Sequence, residues 1–155
     1  MDFELFTNIL YATLRTGTPL ILIALGEMVC EKSGVLNLGQ EGMVLMGAAL
    51  GFIAAVVTGH AGLGIIAAIL AGMLMSVLFA FLAVTLVSNQ VAKGLALTIF
   101  GTGRSGFLGA ASFGIALEGI APVQIPFLIH IPEIGTILLS QYLPVHCAWF
   151  LHDFI

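Results

Sequence analysis

The chain has 155 residues, of which 60% are hydrophobic and 8% charged, whereas a soluble domain carries about a quarter charged residues; water is not its main solvent. Its net charge of −4 comes with four scattered basic residues, so no cationic stripe exists to follow a phosphate backbone, and nucleic acid is excluded as a partner. Cys30 and Cys147 are far apart and form no CxxC, so neither a disulfide framework nor a zinc site is expected.

The N-terminus, MDFELF, has no basic residue before Arg15, unlike a secretory leader, and no removable leader is expected. Residues 3 to 15 are apolar with polar interruptions and suit an interfacial helix or the start of a span. Thr18-Pro19 reads as a helix opening, with Thr as cap and Pro at the first helical position. That helix runs to about Lys32, where Ser33 and Gly34 end it. At 1.5 Å per residue it covers only about 21 Å, so it is either a half-helix or joined to the preceding one through a kink.

Between Glu41 and Lys93 lie 51 residues without a formal charge, and one span needs about 20, so this stretch crosses the bilayer twice. The first crossing begins at Asn37, with Gln40 three positions on in the arrangement of a capping box, and lasts to about Thr58. After a turn at His60-Ala61-Gly62, residues 63 to 87 form the most hydrophobic helix. Small residues recur every fourth position on both: Gly47, Gly51, Ala55 and Gly59 on one, and Gly64, Ala68, Gly72, Ser76 and Ala80 on the other. Such faces let backbones approach closely in lipid and are read as helix-packing surfaces.

Residues 88 to 114 contain Lys93, Arg104 and several glycines, which predicts a helix broken near Gly101 to Gly106. Residues 118 to 136 carry Pro122, Pro126 and Pro132 and read as an extramembrane connection. Residues 134 to 151, interrupted by Pro144 and His146, make a poor span. The fold expected is an all-α, polytopic transmembrane bundle of about four to five segments, some discontinuous. The four basic residues do not fall on alternate loops, so orientation is left open.

Gly101-Thr102-Gly103-Arg104-Ser105-Gly106 matches GxGxxG, but a dinucleotide fold needs a soluble parallel sheet around it, and the flanks are membrane helices. No GxxxxGK[ST] occurs, so no P-loop binds ATP. The segment SGVLNLGQEG, residues 33 to 42, places Asn37, Gln40 and Glu41 between two apolar helices. Polar groups there either line a cavity or broken helix, or cap the next helix with Glu41 at its positive end. Asn89 and Gln90 open a later apolar segment containing Thr98 and pose the same alternative. Glu27 and Glu31, one turn apart, are a conceivable acid–base pair, although a solvated helix end accounts for them more simply. The four histidines have no ligand spacing; neither metal nor cofactor is expected.

TPLILIALGEMVCEKSGVLNLGQEGMVLMGA, residues 18 to 48, resembles the N-terminal half of bacterial ABC importer permeases of the simple-sugar and nucleoside type, related to ribose and branched-chain amino-acid permeases. NQVAKGLALTIFGTGRSGFLG, residues 89 to 109, resembles the second recognisable block of that family, and IPFLIHIPEIGTILLSQYLP, residues 125 to 144, its extracytoplasmic connection. The resemblance implies a multi-pass subunit of the cell inner membrane that pairs with a second permease, ABC ATPase subunits and an extracytoplasmic substrate-binding protein. The chain itself would supply a path through the bilayer, with ATP hydrolysed on its partners.

Carried over by position, Asn37, Gln40, Glu41, Asn89, Gln90 and Thr98 are expected near that path. Lys93 and Arg104 stand where the family has small or apolar residues. Such permeases also continue into a second half that engages the ATPase, for which HCAWFLHDFI is no counterpart, so residues 1–155 read as a single permease domain truncated relative to the family. The competing expectations are a non-transporting remnant or helical scaffold, and a small membrane enzyme using Glu27, Glu31 or Glu41, which lacks partner groups for acid–base or metal chemistry.

Overall fold

The structure, a computed structural model, describes residues 3–86 and 89–117. The expected connection at 118 to 136, the poor span at 134 to 151, and Cys147, His130, His146 and His152 lie outside the described residues. The described residues are helical, in the order α1 (Phe3–Lys32), α2 (Gln40–Thr58), α3 (Ala61–Ala80), a π-helical turn (Phe81–Thr85), α4 (Gln90–Gly109) and a short 3-10 turn (Ala110–Ser112). Among them, Leu5–Lys32, Gln40–Thr58 and Ala61–Thr85 are long and apolar enough to cross a bilayer. An all-α transmembrane bundle is thus the fold class.

The chain divides into two compact units. The described part of the first is residues 3–26, the body of α1. There the expected helix opening at Thr18-Pro19 is absent, and the helix runs through Pro19 without interruption. Proline has no amide to offer the carbonyl four residues back, and membrane helices tolerate this where other groups re-satisfy the backbone. Thr18 does not cap. Its hydroxyl donates to the Leu14 carbonyl at 2.8 Å, as Thr13 does to that of Ile9, so these hydroxyls are satisfied within the helix.

The second unit, residues 27–119, carries α2, α3 and α4. α2 ends where Gly59 turns left-handed (φ 69°) and donates its amide to the Ala55 carbonyl. His60 then leads into α3, so the expected turn occupies Gly59-His60 rather than residues 60 to 62. The buried apolar cluster is small: Met43 of α2, Met75 and Phe79 of α3, Ala83 of the π-helical turn and Leu97 of α4, with Val35 and Met46 packed against it. Large side chains such as Val57, Leu74 and Ile99 face outward with roughly three quarters of their surface exposed (79%, 72% and 73%). That distribution suits lipid as the surrounding medium.

The predicted break at Gly101 to Gly106 is not present; α4 is continuous from Gln90 to Gly109. Glycine weakens an isolated helix by about 1 kcal/mol per residue in water, but in lipid unpaired backbone groups are costly enough to keep the helix closed. Lys93, on the first turns of α4, donates its Nζ to the carbonyl of Leu82 in the π-helical turn. A π turn displaces carbonyls from the regular ladder, and this cation meets one of them.

Candidate functional site

The polar residues singled out between α1 and α2 gather on the seven-residue connector 33–39. Its entry is a Schellman motif: the Gly34 amide (φ 77°) bonds the Glu31 carbonyl at 2.9 Å, and the Val35 amide bonds that of Cys30 at 3.1 Å. Its exit differs from expectation. α2 begins at Gln40, not Asn37, with Gly39 as N-cap and no side-chain cap bond, so there is no capping box.

The Asn37 Oδ1 instead accepts the Gly39 amide at 3.0 Å, and its Nδ2 lies 3.8 Å from the Met43 sulfur, leaving Asn37 buried at 6% exposure. The Gln40 side chain turns away from the helix end to donate to Glu27 Oε2 at 2.6 Å. A hydrogen bond to an ionised acceptor is about twice as strong as one between neutral groups, so the carboxylate outcompetes the backbone for this amide. The other Glu27 oxygen accepts the backbone N–H of Asn37 at 3.0 Å.

The connector is also held by α4. Gln90 Oε1 accepts the Leu36 amide at 3.1 Å, and the Thr98 hydroxyl donates to the Leu38 carbonyl at 2.8 Å. Asn37, Gln40, Gln90 and Thr98 therefore converge on one connector. Glu41 and Asn89 are exposed. Glu41 lies in the first turn of α2, where the helix dipole favours a carboxylate, and Asn89 caps α4 by accepting the Ala92 amide at 3.3 Å.

Beneath the connector, helices meet at glycine. A Cβ built on Gly94 would fall 2.8 Å from the Leu38 nitrogen, and one on Gly42 would fall 2.6 Å from the Leu97 carbonyl oxygen. A Cβ on Gly101 would lie 2.5 Å from the Gly42 Cα. Gly42, Gly94 and Leu97 are not singled out by the sequence, which marks Glu27 only as a conceivable acid–base partner of Glu31 and Gly101 only as part of a GxGxxG string and a helix break. The available signal was Gly94 and Gly101 seven residues apart, two turns along one helix face.

The four-residue stripes meet over part of their length. Gly47, Gly51 and Ala55 are buried and lie against Gly64 and Ala68: a Cβ on Gly51 would meet the Ala68 Cβ at 2.8 Å, and one on Gly47 the Ala68 carbonyl at 3.2 Å. Gly59 and Gly72 would meet nothing within 4 Å among the described residues. The Ser76 hydroxyl points to the Met43 sulfur at 3.6 Å, and Ala80 is exposed. Four residues turn an α-helix by about 400°, so a strict four-residue stripe drifts off its contact face. Beyond Ala68 the buried positions of α3 are instead Ala71, Met75 and Phe79.

The Gly101 to Gly106 string lies within α4, whereas nucleotide binding by GxGxxG requires a strand and loop. Arg104 rests over the Phe107 ring at 5.9 Å. Glu31 is exposed while Glu27 faces the connector, so the two do not act on a common group through the bonds described. Among the described residues no three His, Cys, Asp or Glu side chains come together as metal ligands.

A helical bundle with apolar outer faces and a polar connector strapped between its helices defines a multi-pass membrane protein. The sequence model of the branched-chain amino acid transport system permease component matches residues 9–122, and the chain belongs to that family. It is 41% identical over 132 residues to the “Putative glucose ABC transporter permease protein” of Haloferax volcanii, covering 83% of this chain and 40% of that protein. It is 32% identical over 149 residues to the guanosine ABC transporter permease of Bacillus subtilis strain 168, covering 89% of this chain and 47% of the relative. The chain thus spans less than half the length of these curated relatives. No solved structure matches it.

Proposed function

We propose that this chain is a membrane-spanning permease subunit of an ATP-driven importer for nucleosides or simple sugars, residing in the cell inner membrane and forming part of the translocation path. The observation that carries this reading is the connector: within the stretch matched by the permease family, Asn37, Gln40, Gln90 and Thr98 hold irregular backbone between two membrane helices and against α4. Non-helical backbone at membrane depth persists where protein or a water-filled cavity satisfies it, and transporters build their paths at such discontinuities. Asn37, Gln40, Glu41, Asn89, Gln90 and Thr98 are the residues placed near the path. Glu41 offers an exposed carboxylate at the mouth of α2, suited to the hydroxyl groups of a sugar or ribose.

The bundle has no nucleotide-binding role in this proposal. ATP hydrolysis falls to partner ATPase subunits, and a second permease and an extracytoplasmic binding protein complete the importer. Purification of the tagged chain from membranes in mild detergent is expected to recover an ATPase and a second permease. Cells expressing that set are expected to take up labelled guanosine or glucose. Glu41→Leu is expected to lower uptake at least tenfold without changing the amount inserted, because its side chain is exposed. Recovery of the inserted chain alone or with copies of itself would defeat the transport reading in favour of a non-transporting scaffold.

A further inference from the structure

Residues of the connector are held alternately from two helices. The Leu36 amide is bonded by Gln90 of α4, the Asn37 amide by Glu27 of α1, the Leu38 carbonyl by Thr98 of α4, and the Gln40 side chain again by Glu27. A non-helical segment has no hydrogen-bond ladder of its own, so its amides and carbonyls need other partners. α4 meets that need with two neutral side chains. α1 meets it with one carboxylate, whose two oxygens are each taken by a different donor.

Glu27 is half-buried, and an ionisable group in a membrane helix is costly unless its lone pairs are occupied. A glutamine would serve the Asn37 amide equally well through its single carbonyl oxygen. Its amide could bond Gln40 only with the Gln40 side chain turned over, and then as a neutral pair about half as strong as the bond to a carboxylate. The carboxylate is therefore the stronger partner for the two donors together.

We propose that Glu27 is a positioning residue of the translocation path: by clamping the connector against α1 it sets where Asn37 and Gln40 stand, without itself touching the solute. This rests on the reading of Asn37 and Gln40 as residues near the path. The clamp also ties α2 to α1, since Gln40 is the first residue of α2.

The test exchanges the two side chains, using the full chain with the partners that co-purify with it. Glu27→Gln leaves at best a neutral amide pair, whereas the double variant Glu27→Gln with Gln40→Glu restores a charged acceptor, Gln donating to Glu and still accepting from Asn37. Hydrogen–deuterium exchange of the peptide covering residues 33 to 40 reads the clamp without transport, and KM and Vmax for guanosine and glucose uptake read positioning. In Glu27→Gln, exchange is expected to rise about tenfold, the difference between a hydrogen bond to a charged acceptor and one to a neutral acceptor, and KM to rise by a similar factor. Both are expected to return to within about threefold of the parent in the double variant.

Unchanged exchange in Glu27→Gln, or no recovery in the double variant, overturns the clamp. Faster exchange with unchanged KM and Vmax overturns the positioning role and reduces Glu27 to a structural residue. Absence of uptake in the parent chain defeats the transport reading, and the positioning role with it, while exchange still decides the clamp.

Discussion

Gly101→Ala is expected to separate α4 from the start of α2 and to be among the most destabilising single substitutions in the chain. The added methyl carbon would lie 2.5 Å from the Gly42 Cα and 2.6 Å from its carbonyl carbon. Its neighbours are backbone atoms, which no change of rotamer removes, so the helices themselves must part. Overpacking costs about 1–3 kcal/mol when side chains can yield, and a clash with backbone falls at or above the top of that range, at about 3 kcal/mol. The connector would loosen with it, because Leu36 and Leu38 are anchored to α4 on either side of Gly94. Thermal unfolding in detergent, followed by the monodisperse fraction left after heating, checks the prediction. Gly103→Ala on the same helix is the control: its Cβ would meet nothing within 4 Å among the described residues, and its higher helix propensity is worth up to about 1 kcal/mol. Equal losses at 101 and 103 would mean that intrinsic helicity, not the contact with Gly42, decides.

The second large effect is expected at Gly64→Ala. A Cβ there would fall 2.7 Å from the Ala55 Cβ and 2.8 Å from the Gly51 carbonyl oxygen. In lipid the apolar faces of α2 and α3 gain nothing by leaving water, so their association rests on close packing that a small residue permits. Widening the crossing forfeits that dispersion energy along Gly47, Gly51, Ala55 and Ala68, and the expected loss is about 2 kcal/mol. It is smaller than at Gly101 because the overlaps are shallower, 2.7 and 2.8 Å against 2.5 and 2.6 Å. Gly72→Ala, two turns along α3, has open space around it and is expected to cost nothing, gaining up to about 1 kcal/mol from the higher helix propensity of alanine, as at Gly103. The same heating assay separates the two; a loss at Gly72 matching that at Gly64 would sink the argument.

Sequence signals and structure part company at particular residues. Asn37 and Gln40 have the spacing of a capping box, but spacing reports only which local bond is available. Glu27, 13 positions before Gln40, offers a charged acceptor, and the side chain goes there. Thr18-Pro19 looks like a helix opening by the rules of a helix end in water; within a bilayer the helix continues through it. The glycines from 101 to 106 suggest a break for the same reason, yet Gly101 is occupied by a neighbouring helix and Gly103 and Gly106 sit in an unbroken ladder.

Composition alone determined the medium and the class of fold, because an uncharged run of 51 residues has no low-energy arrangement other than helices across a bilayer. It also set the approximate helix ends at Lys32, Thr58 and Gln90, where glycine, serine or asparagine interrupts the apolar pattern. Tertiary structure decided the partners: that Gly42 meets Gly101, that Lys93 reaches the π-helical turn, and that one carboxylate of α1 holds both the connector and α2. These choices join residues tens of positions apart, and each is settled by competition among donors, acceptors and backbone atoms whose proximity exists only after the helices have packed.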